Sequence, residues 1–384
     1  MREKPSKDLG IYVHIPFCVK KCRYCDFNSF AGKSESAKRE YVAKLMAELS
    51  GRSRAFRNDY TVNSIFIGGG TPSTLEPYCI EEIMDCIYSL FRVAPDSENT
   101  IEANPGTADG MHFRKYLDSG INRLSLGIQS FDKDKRGYLG RVDTRLYGPE
   151  VCFGFARRVG FLNISIDLMF GVPGEAPGVW ENDVKMALKL NPEHISFYSL
   201  QVEEGTEVYR DISEGRAEPL TDVEDRLMYH HAVETLAAAG YVHYEISNAA
   251  KEGYASRHNL KYWSMRDYLG VGLGAHSYID GVRFANTEDW NEYIIAGDHR
   301  MMTKWTHKNS LQEDISEYVF LGLRRLDGVD TAAFRDRFNK DFLEIYGFET
   351  EGLLRRGLVV FEDGKLRLTP LGIDLSNQVF MEYI

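Results

Sequence analysis

"YVHIPFCVKKCRYCDF", Tyr12–Phe27, places Cys18, Cys22 and Cys25 within eight residues, half of the six cysteines in a 384-residue chain. Spacing of i, i+4, i+7 would put the three thiols on one face of a helix, where cysteine packs as a small hydrophobe. Pro16 just upstream and the polar Lys20, Lys21 and Arg23 argue instead for a loop that leaves the strand-like "IYVHI". A structural zinc site takes four ligands, often as two C-x2-C pairs. No second pair is present: Cys79, Cys86 and Cys152 are scattered through helix-like segments and read as core residues. Three thiolates suit a four-iron cluster that is one ligand short of complete ligation by four cysteines. One iron is then left for a small molecule.

Outward from this loop, short apolar runs alternate with helical patterns as far as about Leu200. Strands are expected at Ile11–Ile15, Ser64–Ile67, Thr100–Ala103, Arg123–Ile128, Asn163–Met169 and His194–Tyr198, with helices at Tyr41–Phe56, Cys79–Phe91 and Val179–Leu190. Strands alternating with amphipathic helices imply an α/β fold with a parallel sheet. Six such units suit an incomplete (β/α)6 barrel, whose ligands gather at the C-terminal ends of the strands.

Several motifs fall at those ends. "SIFIGGGTPS" closes the second strand with Gly69, Gly70 and Thr71, and glycines there let backbone approach a ligand or turn with φ > 0. The plain alternative is a tight strand-to-helix turn. Glu102 ends the third strand in "TIEANPGT", suited to an ammonium group or ribose hydroxyls, or simply to a capped strand end. Gln129 follows the fourth strand, Arg141 lies in "YLGR", and Asp167 sits inside the apolar run "ISIDLMFGVPG". A charge in such a run is costly unless paired or coordinating, so Asp167 points to function.

The net charge of −11 disfavours non-specific binding to nucleic acid or anionic membrane. "MREKPSKDLG" lacks the apolar core of a signal peptide, and no apolar run approaches the roughly 18 residues of a transmembrane helix. A soluble, cytoplasmic protein is expected. In that reducing compartment clustered cysteines serve as metal ligands or catalysts rather than disulfides.

The C-x3-C-x2-C loop resembles the signature of the radical S-adenosylmethionine (SAM) superfamily, including the aromatic Tyr24 before the last cysteine. "LGIYVHIPFC", "GGGTPS", "IEANP", "RLSLGIQSF", "LGR" and "IDLMFGVPG" narrow the resemblance to the coproporphyrinogen-III-oxidase-like branch, nearest to the heme chaperones of the HemW type. It covers the chain from about Leu9 to the C-terminus. The resemblance implies a [4Fe-4S] cluster on Cys18, Cys22 and Cys25, with SAM chelating the open iron. It also implies one SAM at Tyr12, Gly69 and Glu102, and a second-SAM set at Gly70, Thr71, Gln129, Arg141 and Asp167.

Within the branch, the oxygen-independent coproporphyrinogen III oxidase decarboxylates two propionates by radical hydrogen abstraction. It has a further cysteine two positions after its last ligand and a longer N-terminal arm. Here that position is Phe27, and 17 residues precede Cys18. "RHNLKYW", Arg257–Trp263, resembles the HNxxYW motif that the chaperones carry and that is linked there to heme binding. His258 could ligate heme iron, with Asn259, Tyr262 and Trp263 beside it; the plain alternative is a satisfied histidine among core aromatics. His276, in the Gly-rich "GVGLGAHS", is a secondary ligand candidate. The implied function is a heme chaperone that binds heme and passes it to an acceptor protein, with a homodimer allowed. The enzyme alternative is the oxidase; a transfer RNA- or protein-modifying enzyme is disfavoured by the acidity and the HNxxYW match. Asp143, where the branch commonly has His, and "GVPGEA" for the more usual "GLPGQT" depart from the pattern.

After about Thr306 the pattern changes. Amphipathic helices in "EDISEYVFLGLRRLDGVD" and "AAFRDRFNKDF" precede "LVVFEDGKLRLT", a hairpin turning at Asp363-Gly364, and a last helix from about Pro370. Two domains are expected: residues 1–305, a barrel with a helical extension, and residues 306–384, a small winged-helix-like α+β unit. Residues 311–384 hold 9 Lys+Arg against 14 Asp+Glu, so a phosphate-binding face is not expected. The unit reads as a lid or docking surface over the barrel mouth, as in the same branch.

Overall fold

The six apolar runs form strands because alternate residues on each bury against helices, and each strand-to-strand crossover is long enough to carry a helix. The computed structural model describes residues 6–56, 58–141 and 147–384; Asp143 and the first five residues lie outside the described residues. Strands Lys7–Ile15 (β1), Tyr60–Gly69 (β2), Val93–Ala103 (β3), Arg123–Gln129 (β4), Ile164–Phe170 (β5) and His194–Ser199 (β6) pair in parallel in chain order. Between them run Glu35–Ser53 (α1), Pro77–Leu90 (α2), Gly110–Asp118 (α3), Pro149–Val159 (α4) and Pro177–Leu190 (α5). Proline opens α2, α4 and α5 at the first turn, where its missing N–H costs nothing. The expected start of α1 at Tyr41 is six residues late. Ser34 caps the helix by accepting from the Ala37 N–H, and the first two turns are too polar to show a buried stripe.

Period two divides the strands into two faces. Leu9, Ile11, Val13 and Ile15 of β1, Ile65 and Ile67 of β2, Leu124, Leu126 and Ile128 of β4, and Ile164, Ile166 and Leu168 of β5 join the main hydrophobic core. The intervening residues, among them Tyr12, His14, Ser64, Glu102, Arg123, Ser125 and Asp167, form an opposite, largely polar face.

The sheet does not close. Strands Val242–Glu245 (β7), Asn248–Ala250 (β8), Tyr268–Val271 (β9), His276–Ile279 (β10), Val282–Asn286 (β11) and Thr303–Lys308 (β12) extend it to twelve, in the order β12-β11-β10-β9-β1-β2-β3-β4-β5-β6-β8-β7. Helix Arg257–Trp263 (α6) lies against the inner face: the Arg257 and His258 N–H groups donate to Glu98 of β3 at 3.1 and 3.2 Å. On β1, a Cβ at Gly10 would come within 2.9 Å of Lys261 Cδ. The buried Glu48 of α1 accepts from Arg52, Tyr293, Asn286 and the Gly272 N–H, which accounts for the "GVGLG" turn structurally.

A second core, from Ile315 to Tyr383, organises the C-terminal unit. Its hairpin pairs Val359–Glu362 with Lys365–Leu368 and turns at Asp363 and Gly364, both with positive φ, as the Asp-Gly pair requires. This unit does not cap the barrel mouth. Ile246 N–H donates to Arg324 O at 3.1 Å, Leu326 N–H to Tyr244 O at 3.0 Å, Arg325 to Ser264 at 3.1 Å and Tyr278 to Asp314 at 3.1 Å. It thus meets the flanks and the end of α6, because the sheet edge at Tyr244–Ile246 offers it backbone groups that no neighbouring strand pairs; the expected lid position is corrected accordingly. Strand β12 straddles the boundary expected at 305/306. Among the described residues, no helix is long and apolar enough to cross a membrane.

Candidate functional site

Pro16 ends β1, and Phe17–Cys18 makes a two-residue parallel pairing with Phe30–Ala31, leaving the cysteine segment as a loop. His14 fastens it from below. Its Nε2–H donates to the Asn28 carbonyl at 3.0 Å, so Nδ1 is the acceptor for the Tyr12 hydroxyl at 2.9 Å. Arg23 fastens the loop sideways: its N–H donates to Leu139 O and its guanidinium pairs with Asp211 and Glu207. The loop after β1 therefore touches the helix after β6, and the two ends of the parallel set are drawn together around a common mouth.

That mouth is a pocket of about 400 Å³ lined by Cys18, Cys22 and Cys25 together with Gly69, Gly70, Thr71, Glu102, Gln129, Arg141 and Asp167. The three thiols are partly exposed and unpaired. Among the described residues no three His, Cys, Asp or Glu side chains converge on a single-ion site. The turn after β2 presses close to them. Gly69 has φ +115°, and a Cβ at Gly70 would lie 2.7 Å from Phe17 O and 3.1 Å from Cys18 Sγ. Thr71 Oγ1 donates to Cys18 Sγ at 3.7 Å, and Arg141 Nη1 reaches Cys22 Sγ at the same distance.

Glu102 Oε2 accepts the Gly69 N–H at 3.1 Å. Burial, with the Asp167 carboxylate nearby, pushes its carboxyl up to about 8. Asp167 accepts from Ser125 and Ser165 at 3.1 and 3.3 Å, and burial raises it as well. Two buried carboxyls beside an open pocket suit a cationic ligand, which would favour their ionised forms. Gln129 takes φ +65° and accepts from the Tyr198 hydroxyl at 2.7 Å.

Of the residues expected around SAM, all but Tyr12 line this pocket; Tyr12 lies beneath it, held by His14. Asn104, Met169 and Tyr198 also line it without having been anticipated. Each sits at or beside a strand's C-terminal end, and that position was the available signal.

The Radical SAM superfamily profile matches residues 12–187, and the HemN C-terminal domain profile matches residues 309–375. The chain is 36% identical to the heme chaperone HemW of Bacillus subtilis (strain 168), over 97% of this chain and 98% of that one. It belongs to the HemW family of radical SAM proteins. The HemW of Lactococcus lactis is 32% identical over 100% of this chain and 98% of its own. A Bos taurus protein described as radical S-adenosyl methionine domain-containing protein 1, mitochondrial, is 36% identical over 99% and 88%. The solved coproporphyrinogen III oxidase HemN of Escherichia coli superposes with a TM-score of 0.87 at 22% identity, covering 100% of this chain and 91% of that one, a likeness of α/β fold. A radical SAM domain implies a [4Fe-4S] cluster and SAM. The thiol loop and carboxyl-lined pocket fit both.

In this HemW-family chain the HNxxYW segment forms α6, apart from the pocket. His258 is fully buried; its Nδ1 lies 2.9 Å from Ser64 Oγ and its Nε2 2.9 Å from the Tyr262 hydroxyl. Burial, with Lys261 and Arg123 nearby, brings its pKa down to about 3. The expected iron ligand thus has both nitrogens engaged inside the barrel, and as folded it offers no free lone pair to a heme. Asn259 is half-buried with its N–H on the capping Ser256. Trp263, at the end of α6, reaches a cleft shared with the C-terminal unit. His276 is exposed beside Trp305, away from both places.

The departure at "GVPGEA" has a local explanation. Glu175 pairs with the buried Lys135, which also contacts Asp183 at 3.1 Å. Asp183 in turn holds Ser130 at 2.7 Å and the Phe131 N–H at 2.6 Å. An acid here therefore completes a buried ion-pair network that shapes the loop after β4.

Proposed function

We propose that this protein is a heme chaperone: it holds a [4Fe-4S] cluster and SAM in the barrel mouth, binds heme, and transfers it to an acceptor protein. The observation that carries this reading is identity along nearly the whole chain to curated heme chaperones. Cys18, Cys22 and Cys25 would hold the cluster, Tyr12 would order the loop through His14, and Gly69 to Thr71, Glu102, Gln129, Arg141 and Asp167 would surround SAM. When bound, the cluster supplies an open iron for SAM's amino and carboxylate groups. The chain's own part is to keep that position open with a three-cysteine loop, to offer Glu102 and Asp167 to positive charge, and to orient Arg141 and Thr71 toward the sulfurs. Phe27, 60% exposed at the mouth, stands where the oxidase carries its further cysteine, which weighs against oxidase chemistry.

His258 fits a positioning role, holding α6 so that Asn259, Tyr262 and Trp263 keep their places near a bound heme. The two hydrophobic cores support a barrel unit with its extension and a separate C-terminal unit; we draw the boundary after Lys308, where β12 ends.

The test is anaerobic reconstitution followed by heme titration and transfer to an apo-hemoprotein, with a parallel assay on coproporphyrinogen III. Heme binding and transfer without decarboxylation is expected. Sustained decarboxylation, or no heme absorbance shift, would overturn the proposal.

A further inference from the structure

The chain carries a net charge of −11 and its residues 311–384 a net −5, from 9 basic and 14 acidic residues. Against that background one cleft has the opposite character. It lies between the end of α6 and the C-terminal unit, has a volume of about 580 Å³, and is lined by Trp263, Arg266, Tyr318, Arg325, Arg337 and Lys365 among others. This is within the size range of small-molecule and cofactor sites.

Arg325 donates to Ser264 and Gly328 and pairs with Asp327. Arg266, Arg337 and Lys365 have no ion-pair partner among the described residues. Arg337 merely lies over the Tyr318 and Phe338 rings, 5.4 and 5.5 Å from their centroids. Of the three acids in the lining, Asp327 faces Arg325, Asp330 caps the helix Thr331–Phe338 and lies in the field of Lys365 and Arg325, and Asp336 completes the set. Four basic against three acidic side chains leave this lining with an excess of one positive charge in a chain that is net negative. The indole Nε1–H of Trp263 is buried without a hydrogen-bond partner, while Trp263 and Tyr318 bring aromatic rings to the same walls. A flat molecule bearing two carboxylates matches these groups: cations for the carboxylates and rings for the plane.

We infer that this cleft receives the two carboxylates of the heme, with Arg337, Lys365 and Arg266 as their partners and Trp263 as the contact that joins the HNxxYW helix to the bound ring. The inference rests on the heme-chaperone reading and assigns it a place. It also gives the C-terminal unit a part in binding, since α6 supplies only one wall.

The test uses the full-length, cluster-loaded protein and compares heme with heme dimethyl ester, whose carboxylates are masked. Wild type should bind the ester at least tenfold more weakly than heme, since both carboxylates lose their charge-assisted contacts and one such contact is worth about tenfold. The double variant Arg337→Gln/Lys365→Gln alters a surface arginine and a half-buried lysine. It should bind heme as weakly as wild type binds the ester, and should no longer distinguish the two. Cluster content and circular dichroism should match wild type. Equal affinity of wild type for heme and ester overturns the cleft assignment and leaves the chaperone reading standing, as does a double variant that keeps the preference. A wild-type protein that binds neither removes both.

Discussion

The Nδ1 atom of His258 lies 2.9 Å from the hydroxyl of Ser64, which ties the HNxxYW helix to β2 four residues before the glycine turn begins. The His258 ring also packs on Phe66, with centroids 5.4 Å apart, and Phe66 neighbours Tyr12. A column of side chains thus runs from beneath the thiol pocket to α6. The HNxxYW helix and the base of the cysteine loop share this interior.

Replacing His258 with Ala should lower the unfolding free energy by about 2–4 kcal/mol, because it opens a cavity and leaves two buried hydroxyls without partners. Urea denaturation reads this directly. Asn259→Ala, at a half-buried position, should cost clearly less, and equal effects would contradict the placement described above.

Acid should destabilise the fold through the same ring. The folded pKa of His258 is about 3 against an ordinary value near 6.5, and His194 is also lowered by burial. Between those values the unfolded chain binds protons that the folded chain refuses, so this contribution is present above pH ~6.5 and is lost as pH falls toward ~3. In His258→Gln the slope of stability against pH over that window should be shallower; an unchanged slope would show that the ring is not held neutral.

Changing Cys18, Cys22 or Cys25 to Ser should abolish the cluster, read as loss of iron and sulfide from anaerobically reconstituted protein. All three are partly exposed, so the fold should survive. Cys79→Ser and Cys152→Ser, in buried helical positions, should leave iron content unchanged.

Gly69→Ala should weaken the effect of SAM on the cluster's electron paramagnetic resonance spectrum. At φ +115° the added Cβ would sit 2.5 Å from His14 Cε1, straining the turn by about 1–2 kcal/mol and pushing on the histidine that fastens the cysteine loop. A wild-type response from this variant would mean that the turn does not shape the site.

Lys135→Met should destabilise by about 3–5 kcal/mol, since it strands the buried Glu175 and Asp183 carboxylates without their cation. Adding Glu175→Gln should recover part of that loss in chemical denaturation. No recovery would mean that the two acids do not depend on Lys135.

The parallel strands were legible to within a residue or two at their C-terminal ends, because buried strand ends coincide with the Gly, Asn and Pro turns that follow them. The N-terminal extents of the last three strands were legible too, but not those of the first three: β3 begins at Val93, seven residues before the expected Thr100, where "VAPDSEN" lacks any apolar alternation. Period two did reveal the apolar face of each strand. It said nothing of what fills the other.

Local order along the chain determined the three-cysteine loop, the strand-end position of Glu102, Gln129 and Asp167, and the hairpin at Asp363-Gly364, because each depends on neighbours within a few residues. Only the tertiary structure decided the fate of His258 and of the C-terminal unit. A histidine in a short amphipathic helix reads the same whether it faces solvent, a ligand or Ser64; what engages both its nitrogens comes from β2, 194 residues away, and from Tyr262 on its own helix. The C-terminal unit likewise carries its own core, so nothing within it specifies where it docks. The sheet edge at Tyr244–Ile246 and the end of α6 set that place, and with it the cleft that neither segment forms alone.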